Sequence, residues 1–197
     1  MNADNKPPRD DRARLTGLPP IAGDDARVLI LGSFPSAASL RAGEYYAHPR
    51  NQFWAVVEAL FGIARGDGYA RRCGRLAARG VAVWDVIGGC RRRGSLDAAI
   101  RDAEVNDFAA FYRRHPRIAA VFFNGAEAEK QYQRQVGLPP PAGEPGDAAG
   151  IRLPSTSPAN AGMSLAGKIE KWRVVQTTVE AARRGWSSRR RTLIRNS

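Results

Sequence analysis

Short apolar runs recur along the chain, separated by stretches whose apolar positions fall three and four apart. Val28-Leu29-Ile30-Leu31, entered from Arg27 and ending in Gly32-Ser33, has the pattern of a strand buried on both faces. Val81-Ala82-Val83-Trp84 and Ile118 to Phe123 repeat that pattern, and Ile151 to Leu153 is a shorter version of it. Between the strands, Phe53, Trp54, Val56, Val57, Leu60 and Phe61 keep helical spacing over Gln52 to Phe61, and Gly62 stands where a helix C-cap needs glycine. Further helices are expected over Tyr69 to Ala78, from Ser95-Leu96-Asp97 into Ala98 to Ala103, from an Asn106 cap through Arg114, and over Ala126 to Val136. Ser164 to Arg184 forms the longest, with Leu165, Ile169, Trp172, Val175, Val179 and Ala182 inward. Strands alternating with helices predict a three-layer αβα sandwich around a four-stranded, mainly parallel sheet.

Residues 1–24, rich in Asp, Arg and Pro, read as a flexible leader, 25–184 as the folded domain and 185–197 as a basic tail. Asp85 to Gly94, with paired glycines and Arg91, Arg92 and Arg93, reads as a loop, as does the Gly- and Pro-rich stretch 137–150. Ligands of such sheets bind beyond the carboxyl ends of the strands. That rule nominates four segments: 32–51, 85–94, 124–125 and 154–160.

Charge narrows the class of ligand. Lys and Arg number 31 against 19 Asp and Glu, a formal charge of +12, so polyanions are the natural partners. The apolar runs are strand-sized, well short of the ~18 residues of a membrane span, and neither a membrane nor a secretory leader is expected. Cys73 and Cys90 form no CxxC pair, which argues for a reducing cytoplasm and a metal-free, cofactor-free mechanism. A nucleotide-binding Rossmann reading lacks any GxGxxG or P-loop run.

The first nominated segment reads Gly32-Ser33-Phe34-Pro35-Ser36, then Tyr45-Tyr46-Ala47-His48-Pro49-Arg50-Asn51-Gln52-Phe53-Trp54. Together with Trp84-Asp85-Val86-Ile87, Cys90 to Ser95, Phe122-Phe123-Asn124-Gly125 and Leu153-Pro154-Ser155-Thr156-Ser157-Pro158-Ala159, it resembles the uracil-DNA glycosylase superfamily. Its nearest resemblance is to the hypoxanthine-DNA glycosylase branch, and its next nearest to the mismatch-specific uracil and thymine glycosylases. The likeness covers about Arg27 to Arg184.

That resemblance implies a monofunctional glycosylase that flips a deaminated base, uracil or hypoxanthine, out of DNA and hydrolyses its N-glycosidic bond without metal, covalent intermediate or lyase step. The expected partners are lesion DNA and its abasic product. A cytoplasmic monomer, nucleoid-associated when bound to DNA, is expected.

By the same resemblance Tyr46 stacks on the base, Asn51 holds the water, Asp85 and Asn124 read the base edge, and His48 contacts the leaving base or a phosphate. Each has a plainer alternative: a packing ring for Tyr46, a helix cap for Asn51, a loop cap for Asp85, a turn for Asn124 and a structural role for His48. Ser33 and Phe34 line the base pocket in this reading. By the same resemblance the loop with Ser155, Thr156, Ser157 and Pro158 grips phosphates beside the lesion and presses a wedge into the minor groove, helped by Arg50, Arg91 and Arg93.

Two positions depart from the superfamily pattern. Phe34 stands where the uracil enzymes carry a water-activating Asp or Asn, and Leu153 stands where His or Asn is usual. The chemistry therefore falls to Asn51 or to a carboxylate such as Asp85. These losses also motivate the alternative of a damage- or abasic-site-binding protein with little turnover.

Overall fold

The computed structural model describes residues 14–136 and 150–195, with side chains through Arg184. Four parallel strands form the central sheet in the order β3 (Val81–Asp85), β2 (Val28–Gly32), β6 (Ala120–Asn124) and β7 (Ile151–Leu153). The expected αβα sandwich is observed, and Val28 to Leu31 and Val81 to Val83 have essentially no exposed surface.

Helices α2 (Phe53–Phe61) and α6 (Leu165–Arg195) pack on each other. Phe53 lies edge-on to both Trp54 and Trp172. Helix α3 (Tyr69–Ala78) lies against β3, and α5 (Ala126–Gln135) against β6 and β2. A second aromatic group joins Trp84 to Phe108 and Phe111 of α4 (Phe108–Arg114) and to Tyr132 of α5. Complete burial of a ring of this size contributes about 1.5–3 kcal/mol.

A second sheet was not foreseen. It is three-stranded and antiparallel, in the order β1 (Leu15–Thr16), β4 (Ile87–Arg92) and β5 (Ile100–Val105). The segment expected to be a loop, 85–94, is therefore largely strand. Its glycines mark bulges: the register shifts on either side of Gly89, and a side chain at Gly88 would run into Asn106. The helix expected over 98–103 is instead one 3-10 turn, Asp97–Ala99, followed by β5, because strand pairing with β4 overrides the local helical preference.

Part of the expected leader is ordered against these sheets, since β1 pairs with β4 and Ile21 bridges to Val83. Residues 1–13 and 137–149 lie outside the described residues. Helix α6 runs on to Arg195, into the stretch expected to be a basic tail. A short helix, α1 (Ala37–Ala42), was also missed. The Ser36 Oγ accepts from the Ser39 N–H at its start, and Gly43 closes it with φ +67°. Helix α4 is capped by Asp107 rather than Asn106.

Strand order places the reversal between β2 and β6, so the crevice opens beyond Gly32 and Asn124. Gly125 sits there with φ +102°, and a Cβ on it would come within 2.9 Å of the Ser155 Cβ. Gly125→Ala is expected to cost about 1–3 kcal/mol in urea unfolding, since both backbone strain and the close approach oppose a side chain. An unchanged midpoint would mean that the two loops do not bear on each other.

Candidate active site

A cavity of about 350 Å³ opens at this crevice, small for a ligand pocket but within the usual range. The ends of β2, β3 and β6 form its floor through Gly32, Asp85 and Asn124. Its walls come from 33–36, 45–46, 51, the 95–97 turn, the start of α5 and the 155–160 loop.

Asp85 is the chemical centre of the floor. Parallel register sets it beside Gly32, and a Cβ at position 32 would overlap its carboxyl group. Asp85 is 3% exposed, and its Oδ2 has no hydrogen-bond partner. The Asn106 side chain donates to the Asp85 backbone oxygen at 2.8 Å, which holds the strand end without satisfying the carboxyl group. Burial pushes the Asp85 pKa up to about 8, the negative charge of Asp97 adds to the rise, and Arg92 opposes it. The carboxyl group is thus mostly protonated at neutral pH, with one O–H to donate and an oxygen that accepts.

Tyr46 stands over this floor with φ +57°, an unusual conformation for a tyrosine. Its neighbour enforces it. The Tyr45 N–H donates to the Tyr69 hydroxyl at 2.8 Å, its hydroxyl donates to the Leu18 carbonyl, and its own carbonyl accepts from the Trp54 indole. With Tyr45 fixed on both sides, Tyr46 is turned into the cavity, one face stacked on Phe53 at 4.0 Å. The Tyr46 hydroxyl is buried, and burial followed by the nearby Asp85 raises its pKa, against the Asn124 amide, which lowers it.

Asn51 also reaches the cavity. Its Oδ1 accepts the Phe53 N–H at 2.9 Å, so it caps α2 from one residue outside the formal N-cap, Gln52, while its Nδ2 has protons to give. His48 does not line the cavity: its Nδ1 accepts the Arg50 N–H at 3.1 Å and steadies the loop. Arg50 is exposed beside it.

Asn124 spends most of its amide on the opposite loop. It donates to the Thr156 Oγ1 at 2.9 Å and accepts from the Thr156 N–H at 2.8 Å. Ser155, Thr156 and Ser157 line the cavity, but Pro158 does not. Two residues not marked as site residues in the sequence hold this loop from behind. The buried Lys168 donates to the Asn160 carbonyl at 2.9 Å, and the Trp172 indole donates to the Pro154 carbonyl at 2.9 Å.

Phe34 and Ser33 both line the cavity. Phe34 is buried beneath the Arg92 guanidinium, 4.8 Å from the ring centre, while Arg92 donates to the Pro35 carbonyl. Of the three arginines in this run, Arg92 is the buried one, whereas Arg91 and Arg93 are exposed; Arg91 lies 3.7 Å from Asp102. Asp97, read in the sequence only as a helix start, lines the cavity as a second carboxyl group. Burial raises its pKa against the pull of Ser33 and Arg92. Glu127, at the start of α5, is a third. Among the described residues there is no cluster of three or more metal-ligating side chains, and no helix is long and apolar enough to cross a membrane.

Known proteins share both the sequence and the fold. The Uracil DNA glycosylase superfamily profile matches residues 19–177. A protein of Methanosarcina barkeri named Hypoxanthine DNA glycosylase is 34% identical over 113 residues, covering 57% of this chain and 72% of that protein. Its namesake in Methanosarcina acetivorans is 35% identical over the same length and shares of both chains. A solution NMR structure from Methanosarcina acetivorans, provisionally described as a uracil DNA glycosylase, superposes with TM-score 0.69 at 30% identity, covering 85% of this chain and 99% of that one.

The raised pKa of Asp85 has a thermodynamic consequence. Its ordinary value is 3.8 and its folded value about 8, so the folded state holds a proton that the unfolded state releases between those limits. Stability from this group is therefore present at low pH and is lost as pH rises toward the folded value. Asp85→Asn is expected to be more stable than the parent at about pH 9 and to lose that advantage near pH 5, in urea titrations at both. A parent-to-variant difference that does not change with pH would show that the carboxyl group titrates normally.

Proposed function

The chain belongs to the uracil DNA glycosylase superfamily, and from that membership we propose a monofunctional DNA glycosylase that hydrolyses the N-glycosidic bond of a flipped deaminated base. Hypoxanthine is the first substrate on this reading and uracil the second. One observation carries the choice of a deaminated base: at the floor of a small cavity stands the buried carboxyl group of Asp85, with its Oδ2 unpartnered and its pKa raised by burial. An ionised carboxylate only accepts, and would suit the adjacent N1–H and amino donors of guanine. A neutral carboxyl group accepts from N1–H and donates to O6 of hypoxanthine, or pairs in the same way with N3–H and O4 of uracil. The names of the two Methanosarcina relatives support hypoxanthine.

In the proposed mechanism the base slides over the ring of Tyr46, which Phe53 backs, and lays its lactam edge on Asp85. As the bond from C1′ to the base breaks, negative charge spreads onto the exocyclic oxygen, where the Asp85 O–H donates to it. Asn51, its amide oriented by the Phe53 N–H, holds the water that adds to C1′. Asparagine takes no proton, so the proton released by the water ends on the departing base, and the products are free base and an abasic sugar. No lysine is among the described residues lining the cavity, which supports hydrolysis over an imine-forming lyase.

Single-turnover excision from oligonucleotides carrying hypoxanthine or uracil tests this. Asn51→Ala is expected to lose about 100-fold or more in rate with binding retained. Activity of the parent is expected to fall as pH rises through about 8, where Asp85 loses its donor, and Asp85→Asn, which keeps a donor and an acceptor, is expected to flatten that limb. A parent rate independent of pH across that value would remove Asp85 from base recognition. Tight binding of abasic duplex with no cleavage of either base would favour a damage-binding protein, the reading that Phe34 supports.

A further inference from the structure

The chain carries +12, yet among the described residues that line the cavity none is Lys, Arg or His, while three carry carboxyl groups: Asp85, Asp97 and Glu127. The cations near these carboxyl groups stay outside the lining. Arg92 acts on Asp85 and Asp97 from behind the Phe34 ring, where it donates to the Pro35 carbonyl. Lys130 comes within 3.9 Å of the Glu127 Oε2, and the Gln131 amide donates to the Glu127 Oε1 at 2.7 Å. Burial opposes the charge on Asp97, while the Ser33 hydroxyl and Arg92 favour it.

A lining of this sign meets a neutral base awkwardly, because such a base departs as an anion. A purine alkylated at N7 or N3 makes the opposite demand. Its ring is already a cation. When its bond to C1′ breaks, the bonding electron pair stays with the ring nitrogen and the base leaves neutral. The positive charge passes to the sugar, water adds to C1′, and the proton of that water goes to solvent. The carboxyl groups then face one positive charge from the bound base to the sugar cation, and never an anion.

Two other features of the cavity suit a cationic ring. Tyr46 has one face stacked on Phe53 at 4.0 Å and reaches the cavity, and an aromatic face attracts a cation more strongly than a neutral ring. Asp85, 3% exposed, lines the floor with its Oδ2 unpartnered. A fixed positive charge laid against it favours the ionised carboxylate, which accepts from both N1–H and the amino group of 7-methylguanine. Unmodified guanine brings the same two donors without the charge that ionises Asp85.

We propose that the cavity takes a second class of base, purines given a fixed positive charge by N-alkylation, and that Asp97 and Glu127 select that charge. Release of the base rests on the glycosylase reading; selection of the cation does not.

The test sets a cationic base against a neutral one in the same duplex sequence. In single-turnover assays the parent is expected to release 7-methylguanine as well as hypoxanthine, and to leave guanine in place. Glu127→Gln and Asp97→Asn are each expected to lower the ratio of 7-methylguanine to hypoxanthine release about tenfold, whereas damage to the fold or to sugar stabilisation would slow both alike. A parent that releases hypoxanthine but not 7-methylguanine overturns the proposal, as does an unchanged ratio in both variants. Binding gives a readout without cleavage, using duplexes whose 2′-fluoro sugar resists hydrolysis and carries either 7-methylguanine or hypoxanthine. Tighter binding of the cationic duplex, with the preference lost in Glu127→Gln or Asp97→Asn, upholds charge selection even if the parent cleaves nothing, an outcome that would sink the glycosylase reading alone. Equal binding of the two duplexes by the parent overturns the selection.

Discussion

At the carboxyl end of the sheet, the space where a side chain of residue 32 would stand is filled by the carboxyl group of Asp85. That exchange depends on parallel register, which brings the last residues of β2 and β3 side by side, and on glycine, which leaves the room. The result is a carboxyl group at the cavity floor that is only 3% exposed. It has neither a salt bridge to keep it charged nor a partner for its Oδ2. Its raised pKa follows from that burial, and so does the hydrogen-bonding pattern that the floor offers to a ligand. The crevice beyond Gly32 and Asn124 is where this strand order puts any ligand, so topology and chemistry converge on the same few residues.

Around this floor the fold spends its polar contacts on stiffness. Tyr45 is bonded through its N–H, carbonyl and hydroxyl so that Tyr46 can hold a left-handed conformation. Asn124 and Thr156 lock two loops together, while Lys168 and Trp172 fix the same loop from α6. Such strain and cross-bracing gather where a ligand must be met by groups already in position, since groups that need not reorganise act more strongly on developing charge. Asn124 shows the trade: its amide is largely committed to Thr156, which leaves Asp85 as the floor group with an unpartnered oxygen.

The central sheet and five of the six helices were legible because each has its own hydrophobic period: continuous runs for the strands, spacing of three and four for α2 and α6. What the sequence hid depends on tertiary partners. Gly88 and Gly89 read as a loop because glycine usually marks one, yet here they allow a bulged strand to pass close to Asn106 and β1. The stretch 100–105 looks helical by composition and is strand only because β4 lies beside it. In the site, Tyr46, Asn51, Asp85 and Asn124 were readable through a motif. Asp97, Lys168 and Trp172 were not, since their roles come from where the chain folds back rather than from any local pattern. His48 sits in the motif but serves the loop.

The charge of the cavity lining differs from that of the chain as a whole. The chain carries +12 overall, which favours a polyphosphate backbone at the surface and makes that attraction depend on salt. The cavity instead gathers Asp85, Asp97 and Glu127, with Arg92 buried behind its wall against Phe34. Glycosidic cleavage separates charge: the sugar turns positive as the base turns negative. Carboxylates near the cavity favour the first change and would resist the second unless the one touching the base were uncharged. Asp97 adds to the rise of the Asp85 pKa, so on the glycosylase reading proposed above the same acidic cluster would stabilise the sugar cation and still accept a departing anion. In this arrangement Phe34 contributes by being apolar. It supplies no water-activating group, but its ring walls the floor and seats the guanidinium that limits how far the acidic cluster can lift Asp85.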